Sequence, residues 1–508
     1  MRADRRESAN LGENENDSHG AEGCAFSFVG VRSPRAGLNW GPSNRGTACI
    51  RPGSYLAVEG LAGSMLRCVV YVLPGSESPQ AGDCDPQRRR VRLRKRREVR
   101  AMLDHENGRT VGLETEVMLI DNHGDISNRA TQVVNHRHNT GNIVAEFSHA
   151  VVEANPPPSS SIAEVEANLL TELRAVSSIA ESLGLAEVPL SELGPGNRSE
   201  RVLDVPRYAL FEEVMGKEHC DMERSSCGTH LHVDHEEYLV GEYNLLQSMD
   251  PVFALMSSSS FMRGRNTVNC SRVNLYRNNS YTAAPYMCQL SEYVSGTEEI
   301  DSLQAARSRY FLDRLEPTVE NERIFGGYNN GSSPIRKTNK TIEIRCADSN
   351  IPTLALAMAA LYKGVLHRVF GSPDLEIKIA RPGTLWSITS SEIFLPSCST
   401  LRMMESEAVA LGPSSETVNE YLSHLVTIAE RGLPSDETKY LRPFREILRN
   451  KRNVAHVIAE KARLMDPTTS YSISSVCAAR VNTFVAEQYK DDLAGGSQLI
   501  DMISYGVE

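Results

Sequence analysis

The sequence predicts an α+β fold in which helices cover one face of a largely antiparallel β-sheet. Three observations carry this expectation. Short period-two stretches rich in β-formers are interleaved irregularly with longer stretches of 3.6-residue period. No internal repeat orders them into regular strand–helix–strand units. At 508 residues the chain is long enough to bury a sizeable core.

The first hundred residues keep neither period. They are rich in Gly, Ser, Pro and Arg and end in the cationic run RRRVRLRKRREVR, Arg88 to Arg100, whose like charges repel in any compact packing. Residues 1–101 are therefore expected to form a disordered or loosely structured basic leader. The run reads either as a solvated linker or as a nucleic-acid or localisation patch, and Met102 is an alternative start of translation. Residues 102–495 are expected as the main folded unit and 496–508 as a C-terminal tail.

From Thr110 the pattern is globular. TVGLETEVMLI alternates as a strand, with Val111, Leu113, Thr115, Val117 and Leu119 opposite Gly112, Glu114, Glu116 and Met118. After Pro156–Pro158 a helix is expected, opened by a Ser161/Glu164 capping box, striped by Ile162, Val165, Leu169, Leu173 and Val176, and stopped at Gly184. CGTHLHVDH (227–235) and TIEIRCAD (341–348) read as strands, and so does SRVNLY (271–276). Longer helical patterns follow over 241–262, 353–370, 415–431, 451–464 and 474–493.

Composition narrows the function classes. The net charge is −11 with 23% charged residues, which argues against a nucleic-acid partner. No apolar run is long enough to span a bilayer, and the first twenty residues lack the apolar core of a secretory signal. Eleven cysteines, an odd number without a C-x-x-C pair, favour reduced thiols and a cytoplasmic location over disulfides or a zinc cluster.

The strands carry the chemistry. Glu114 with Glu116, His230 with His232, and Glu343 with Arg345 share the i, i+2 spacing, which projects each pair to one side with its members roughly 6 to 7 Å apart. One such pair reads as a solvated sheet face; three on three strands point to a shared polar cavity. EFSHAVVEANPPP adds Glu146 and Glu153, whose odd spacing sends them to opposite faces of a continuous strand, so this segment must bend or turn helical if both serve one site. Five glutamates without cysteine ligands form a hard-oxygen environment suited to Mg2+ or Mn2+. No G-x-x-x-x-G-K-[ST] loop is present, and RIFGGYNNGSS is only a glycine-rich turn, so any bound nucleotide phosphates must be neutralised by metals and arginines. Arg263, Arg265, Arg272 and Arg277 crowd one short stretch for this purpose.

In this order and approximate spacing, GLETEVML, EFSHAVVEAN, CGTHLHV, SSSSFMRGRNT…SR, LSEYV and TIEIRCADS resemble the carboxylate–amine ligases related to the type 2 glutamate–cysteine ligases. The resemblance runs from Val111 to His456, about two thirds of the chain. It implies a catalytic sheet shared with glutamine synthetase, within residues 102–495. It also implies use of ATP and Mg2+ to phosphorylate a carboxylate, usually the γ-carboxylate of glutamate, before an amine such as cysteine attacks the acyl phosphate.

Carried over by position, the resemblance makes Glu114, Glu116, Glu146, Glu153 and Glu343 metal residues, with His230 or His232 completing a shell. It assigns Arg272, Arg336 and Arg345 to phosphate or substrate carboxylate, Arg265 to the nucleotide, and Arg381 as a weaker match. The chain departs from the pattern in its long leader and in lacking a glycine after the histidines. Small-molecule carboxylate and amine substrates are the implied partners, and a homo-oligomer is compatible with all of this. Two other classes compete: a metal-dependent hydrolase built on the His-x-His strand, and a non-catalytic relative that binds without turnover.

Overall fold

The structure, a computed structural model, describes residues 108–507 apart from 197, 201–204, 236–237, 267–268, 281–283, 285–286, 332–334, 337–339, 372–374 and 390, together with Leu56–Ala57 and Val69–Val70. The cationic run and Met102 lie outside the described residues. The chain divides into two compact units, residues 1–84 and 85–508. In the first, the described residues are one antiparallel pair, Leu56 opposite Val70 and Ala57 opposite Val69. The second holds everything that follows.

Its main sheet has seven strands: β1 Val111–Asp121, β2 Ile143–Ala145, β3 Val151–Ala154, β4 Leu185–Val188, β5 Gly228–Asp234, β6 Ile335–Arg336 and β7 Thr341–Asp348. They lie in the order β6-β7-β5-β1-β3-β2, with β4 pairing the far half of β1, and every pairing is antiparallel. The sheet of the predicted α+β class is therefore present. A smaller sheet of Glu376–Ile379, Ser387–Ile388 and Glu392–Leu395 contains one parallel pair.

Four helices matter for the site: α1 Ile162–Ser182, α2 Lys217–Arg224, α3 Ser271–Leu275 and α4 Pro352–Phe370. Helix α4 is buried along nearly its whole length, and its buried positions are apolar all round apart from Lys363, as a helix at the centre of a core must be. Helix α1 buries the expected stripe, Ile162, Val165, Leu169, Leu173 and Val176. Its start is a correction. Ser161 makes no side-chain cap bond, Glu164 instead accepts from the Ser159 hydroxyl, and the Ile162 N–H donates to Glu437 Oε1 at 2.9 Å. Lys363 on α4 holds that carboxylate through Nζ at 2.6 and 2.9 Å. A tertiary cap stands in place of the local one and satisfies a different orphan donor, the N1 N–H of Ile162.

Three further expectations change. The 241–262 pattern breaks into Leu239–Ser248, a 3-10 turn Asp250–Val252 and Phe253–Met256, because Pro251 supplies no N–H and disfavours helix at the residue before it. SRVNLY is helical rather than a strand: Ser271 N–H donates to Ser259 O and Arg272 N–H to Ser259 Oγ, which starts α3. The segment expected as a C-terminal tail, 496–508, holds a helix, Gln498–Tyr505, that buries Leu499, Ile500 and Ile503. Among the described residues no helix is long and apolar enough to cross a membrane.

A second apolar cluster, separate from the main core, gathers Phe211, Phe311 and Phe325, with Phe147, Tyr276 and Tyr328 packed against it. The Phe311 and Phe325 rings stack at 4.5 Å. Its aromatic edge forms one wall of the cleft described next.

Candidate active site

Antiparallel register, not sequence proximity, assembles the acidic face. Glu114 pairs with His230 and Glu116 with Glu153, while Glu343 pairs with His232, so these residues share one side of four adjacent strands. Glu146 joins them because the chain folds back as a hairpin between β2 and β3. Its N–H reaches Val151 O at 3.4 Å, and Val151 lies two residues from Glu153 on the same face. The bend that the odd spacing required is this hairpin.

The resulting contacts are close. His230 Nδ1 lies 3.2 Å from Glu114 Oε2 and 3.6 Å from Glu343 Oε1, and His230 Nε2 lies 3.9 Å from Glu116 Oε1. His232 Nε2 is 3.1 Å from Glu114 Oε1, yet it is buried and makes no aligned hydrogen bond there; Nδ1 of the same ring pairs with Thr341 Oγ1 at 2.9 Å. Two donor triads result, Glu114–His230–Glu343 and Glu116–Glu153–His230, each with ligand atoms within 4.8 Å of one another.

Crowding shifts these groups in different directions. Burial and the neighbouring Glu146 push Glu116 up to about 8, against Arg272 and the Gly228 N–H, which donates to it at 2.6 Å. Glu153 is raised well above the usual carboxylate range by burial and by Glu146, Glu114 and Glu116. Burial also raises Glu114, but His230 and His232 outweigh it and hold that carboxyl low. Burial and Arg345 push His230 down to about 4, which leaves its imidazole neutral and free to donate a lone pair at physiological pH.

The acidic face opens into a cleft of about 650 Å³ whose wall includes Glu116, Glu146 and His230 together with Arg207, Arg272 and Arg345. Arg345 sits in a β-bulge of β7 between Ile344 and Ala347, which turns its guanidinium into the cleft and against Glu343, while Ile342 and Ile344 pack into the core behind. Arg272 is buried and donates to Ala347 O at 3.1 Å and Arg345 O at 3.3 Å. Its helix is anchored by Asp348, whose carboxylate accepts from the Ser258 and Ser259 N–H groups at 3.0 Å each.

Among the described side chains, the other arginines singled out in the sequence are not brought to this cleft. Arg265 is exposed on the hairpin Phe261–Met262/Arg265–Asn266, which reverses at Gly264 and bridges to Ser472. Arg263 sits in the turn of that hairpin with its Nε buried and unbonded. Arg381 is exposed on a separate loop. Arg277 is committed to Asp250 by two bonds of 2.7 Å and to Glu405 at 2.9 Å. Arg336 pairs with Thr341 through its backbone, and its side chain lies outside the described residues.

The cleft also contains residues that sequence reasoning missed: Arg207, Tyr208, Glu223, Tyr276, Tyr328 and Asn330. The helix carrying Arg207 and Tyr208, Pro206–Met215, has almost no amphipathic period. Tyr328 and Asn330 belong to the glycine-rich turn, which carried no phosphate-loop pattern. The sequence pattern puts Tyr276 at the end of a strand, whereas it follows directly on the helix Ser271–Leu275. For these residues only their polarity beside apolar neighbours could have served as a signal.

An antiparallel sheet that sets clustered carboxylates and two histidines against guanidinium groups defines a candidate site for divalent cations and anionic substrate groups together. The chain belongs to glutamate–cysteine ligase family 2, whose model matches residues 110–453. It is 27% identical over 190 residues to a Salinispora tropica protein named "Putative glutamate--cysteine ligase 2", and 26% identical over 190 residues to the protein of the same name from Salinispora arenicola. Each match covers 36% of this chain and 50% of the relative, so the chain spans about half the length of the curated relatives it matches. Among solved structures it is similar to a bifunctional glutathione synthetase from Pasteurella multocida, at 13% identity and a TM-score of 0.45, covering 82% of this chain and 58% of that one. It is also similar to a glutamate–cysteine ligase from Francisella tularensis in complex with AMP, at 12% identity and a TM-score of 0.41, covering 79% and 98%.

Proposed function

We propose that this chain is an ATP- and Mg2+-dependent carboxylate–amine ligase that joins the γ-carboxylate of glutamate to an amine through an acyl phosphate. One observation carries the reading: two carboxylate triads share His230 on a single sheet face, opposite Arg272 and Arg345 in an open cleft. A carboxylate resists attack because its charge repels a nucleophile and oxide is a poor leaving group; phosphorylation removes both obstacles. That transfer needs charge neutralisation more than covalent help.

The donor set fits divalent ions. Either Glu114, His230 and Glu343 or Glu116, Glu153 and His230 would hold an ion, since a neutral imidazole offers a single lone pair; the remaining carboxylates, with Glu146 and His232, would flank it. Nε2 of His232 is buried without an aligned hydrogen bond, and the carboxyls of Glu116 and Glu153 are raised by burial and crowding; a divalent ion would answer both. Oxygen-rich coordination suits Mg2+, and the imidazoles admit Mn2+. When bound, such ions neutralise phosphate charge. Arg345 and Arg272 supply fixed guanidinium donors for a phosphoryl or carboxylate group, and the aromatic edge of Phe147, Tyr208 and Tyr328 limits water access from the other side.

The names of the Salinispora relatives make cysteine the first amine to test. A cytoplasmic location is part of the proposal, supported by the seven free cysteines among the described residues. The test is ADP and phosphate release by the full chain with MgATP, glutamate and each amino acid in turn. Amine-dependent ADP release is expected. Hydrolysis without ATP would install the hydrolase reading, and ligand binding without turnover would make the chain a non-catalytic relative.

A further inference from the structure

A second cavity, about 420 Å³, adjoins the metal-facing cleft, and the two share five wall residues: Glu223, Arg272, Tyr276, Asn330 and Arg345. Glu223 is the one carboxylate on that shared wall, and the one carboxylate lining the second cavity among the described residues. It belongs to neither metal triad. Two neighbours fix its position: the Tyr276 hydroxyl donates to Oε2 at 2.5 Å, and His219 Nε2 stands 3.2 Å from Oε1. Arg272 lies over the Tyr276 ring at 5.0 Å, which locks the tyrosine from its other face. Glu223 occupies the last turn of α2, where a negative charge faces the negative end of the helix dipole, so helix stability does not account for a carboxylate there.

We propose that Glu223 binds and deprotonates the acceptor amine, and that the second cavity is the acceptor subsite. This rests on the ligase reading above. An amine arriving at neutral pH is an ammonium ion and cannot attack until it loses a proton. Three guanidinium groups line the second cavity, and Asp250 and Glu405 already neutralise one of them, Arg277. An ammonium beside them meets one lining anion, Glu223, at the boundary with the cleft that holds Arg345 and the acidic face. There the carboxylate of Glu223 takes one proton from R–NH3+. The freed nitrogen lone pair attacks the acyl carbon, the C–N bond forms, the C–O bond to phosphorus breaks, and inorganic phosphate departs with that electron pair. The second N–H proton leaves with the departing phosphate as hydrogen phosphate when the amide forms. Glu116 and Glu146, the other carboxylates lining the first cleft, are tied to the acidic face. Arg272 and Arg345, flanking Glu223 on the shared wall, suit an acceptor that also carries a carboxylate. The substrate class is therefore a protonated amine, with α-amino acids preferred.

Two nucleophiles separate this role from a structural one. Hydroxylamine is largely unprotonated at neutral pH and needs no base to attack an acyl phosphate, whereas an amino-acid amine does. Hydroxamate and amide formation are measured in parallel with MgATP and glutamate, the amide reaction using the best acceptor found for the wild-type chain. Glu223→Gln is expected to slow amide formation by about 100-fold more than hydroxamate formation. In the variant the acidic limb of the amine pH profile should move up toward the amine's own pKa, because only amine that is already unprotonated can then attack. Equal slowing with both nucleophiles, or no slowing, overturns the proposal. Should Glu223→Gln fail to fold, Glu223→Asp retains the charge but withdraws it; the same unequal loss is expected, and equal loss overturns the assignment. A wild-type chain that makes neither product refutes the ligase reading itself, which distinguishes that failure from this one.

Discussion

Glu116 and Glu153 stand directly opposite each other on β1 and β3, with Val144 of β2 next in the row. Like charges in this position destabilise a sheet. Both carboxyls are raised, Glu116 to about 8. A raised acid contributes its full stability below the ordinary value near 4.5 and loses it as pH climbs toward the folded value. The metal-free protein should therefore melt several degrees lower at about pH 8 than at about pH 5, and Mn2+ or Mg2+ should recover most of the loss. Glu153→Gln should raise the metal-free melting temperature at the higher pH and blunt the response to cation. Melting curves with the same pH slope with and without cation would contradict the pairing of these acids around an ion.

Glu114 lies between both histidines, 3.2 Å from His230 and 3.1 Å from His232. Glu114→Gln keeps the size and removes the charge, so turnover should fall by about two orders of magnitude or more while the fold persists. Calorimetric titration with Mn2+ in the presence of ATP should show the weakened binding directly. Near-normal activity in this variant and in Glu116→Gln together would remove both from the ligand set.

Much of this face is legible in the sequence because a strand imposes a period of two on its side chains. Glu114/Glu116, His230/His232 and Glu343/Arg345 declare their common side before any register is known. Glu146 and Glu153 are only half legible: the odd spacing demands a bend, but whether hairpin or helix supplies it depends on pairing with β1. What fails is what tertiary contacts decide. The cap of α1 comes from Glu437, 275 residues away. SRVNLY has a strand-like alternation, yet the Ser259 side chain and backbone take its first N–H groups and begin a helix. Glu223 looks like any helix-surface acid until Tyr276 and two cavities meet it.

Glu187 offers a stability test away from the site. It is buried on β4 opposite Leu119 and is pushed up to about 7 by burial, partly opposed by a hydrogen bond with Ser177. Between the ordinary 4.5 and about 7 the unfolded chain ionises while the folded one resists, so this residue costs stability as pH rises through that window. Glu187→Gln should be close to neutral at about pH 5 and stabilising by on the order of 2 kcal/mol at about pH 8. Urea titrations at the two pH values measure it. A difference independent of pH would mean that the amide's packing, not ionisation, sets the effect.

Gly228 is required by Arg272. A Cβ at that position would lie 2.7 Å from Arg272 Nη2 and 3.3 Å from Ala347 O, and the guanidinium has little room to yield because the bulge carbonyls hold it. Gly228→Ala should cost about 1–3 kcal/mol of stability and lower turnover by displacing Arg272. Thermal melts and steady-state kinetics on the same preparation check both effects. Turnover that survives an intact loss of stability would show that the placement of Arg272 serves the fold alone.

Arg345 tests which substrate group the cleft stabilises. Its guanidinium contacts Glu343 and stands on the wall shared by both cavities, so it can meet either charge developing on a transferred phosphoryl or a resting substrate carboxylate. These roles differ kinetically. A contact that strengthens only in the transition state lowers kcat and kcat/KM together when removed, whereas uniform binding of glutamate raises KM alone. Arg345→Lys keeps the charge but loses the planar fork, and a lysine ammonium cannot hold Glu343 and a second oxygen in the same plane. The expected result is a fall in kcat of about 10- to 100-fold with little change in the KM for glutamate. An unchanged kcat with a large rise in that KM would make Arg345 a substrate-carboxylate clamp. A lower melting temperature with both constants intact would reduce it to the ion pair with Glu343.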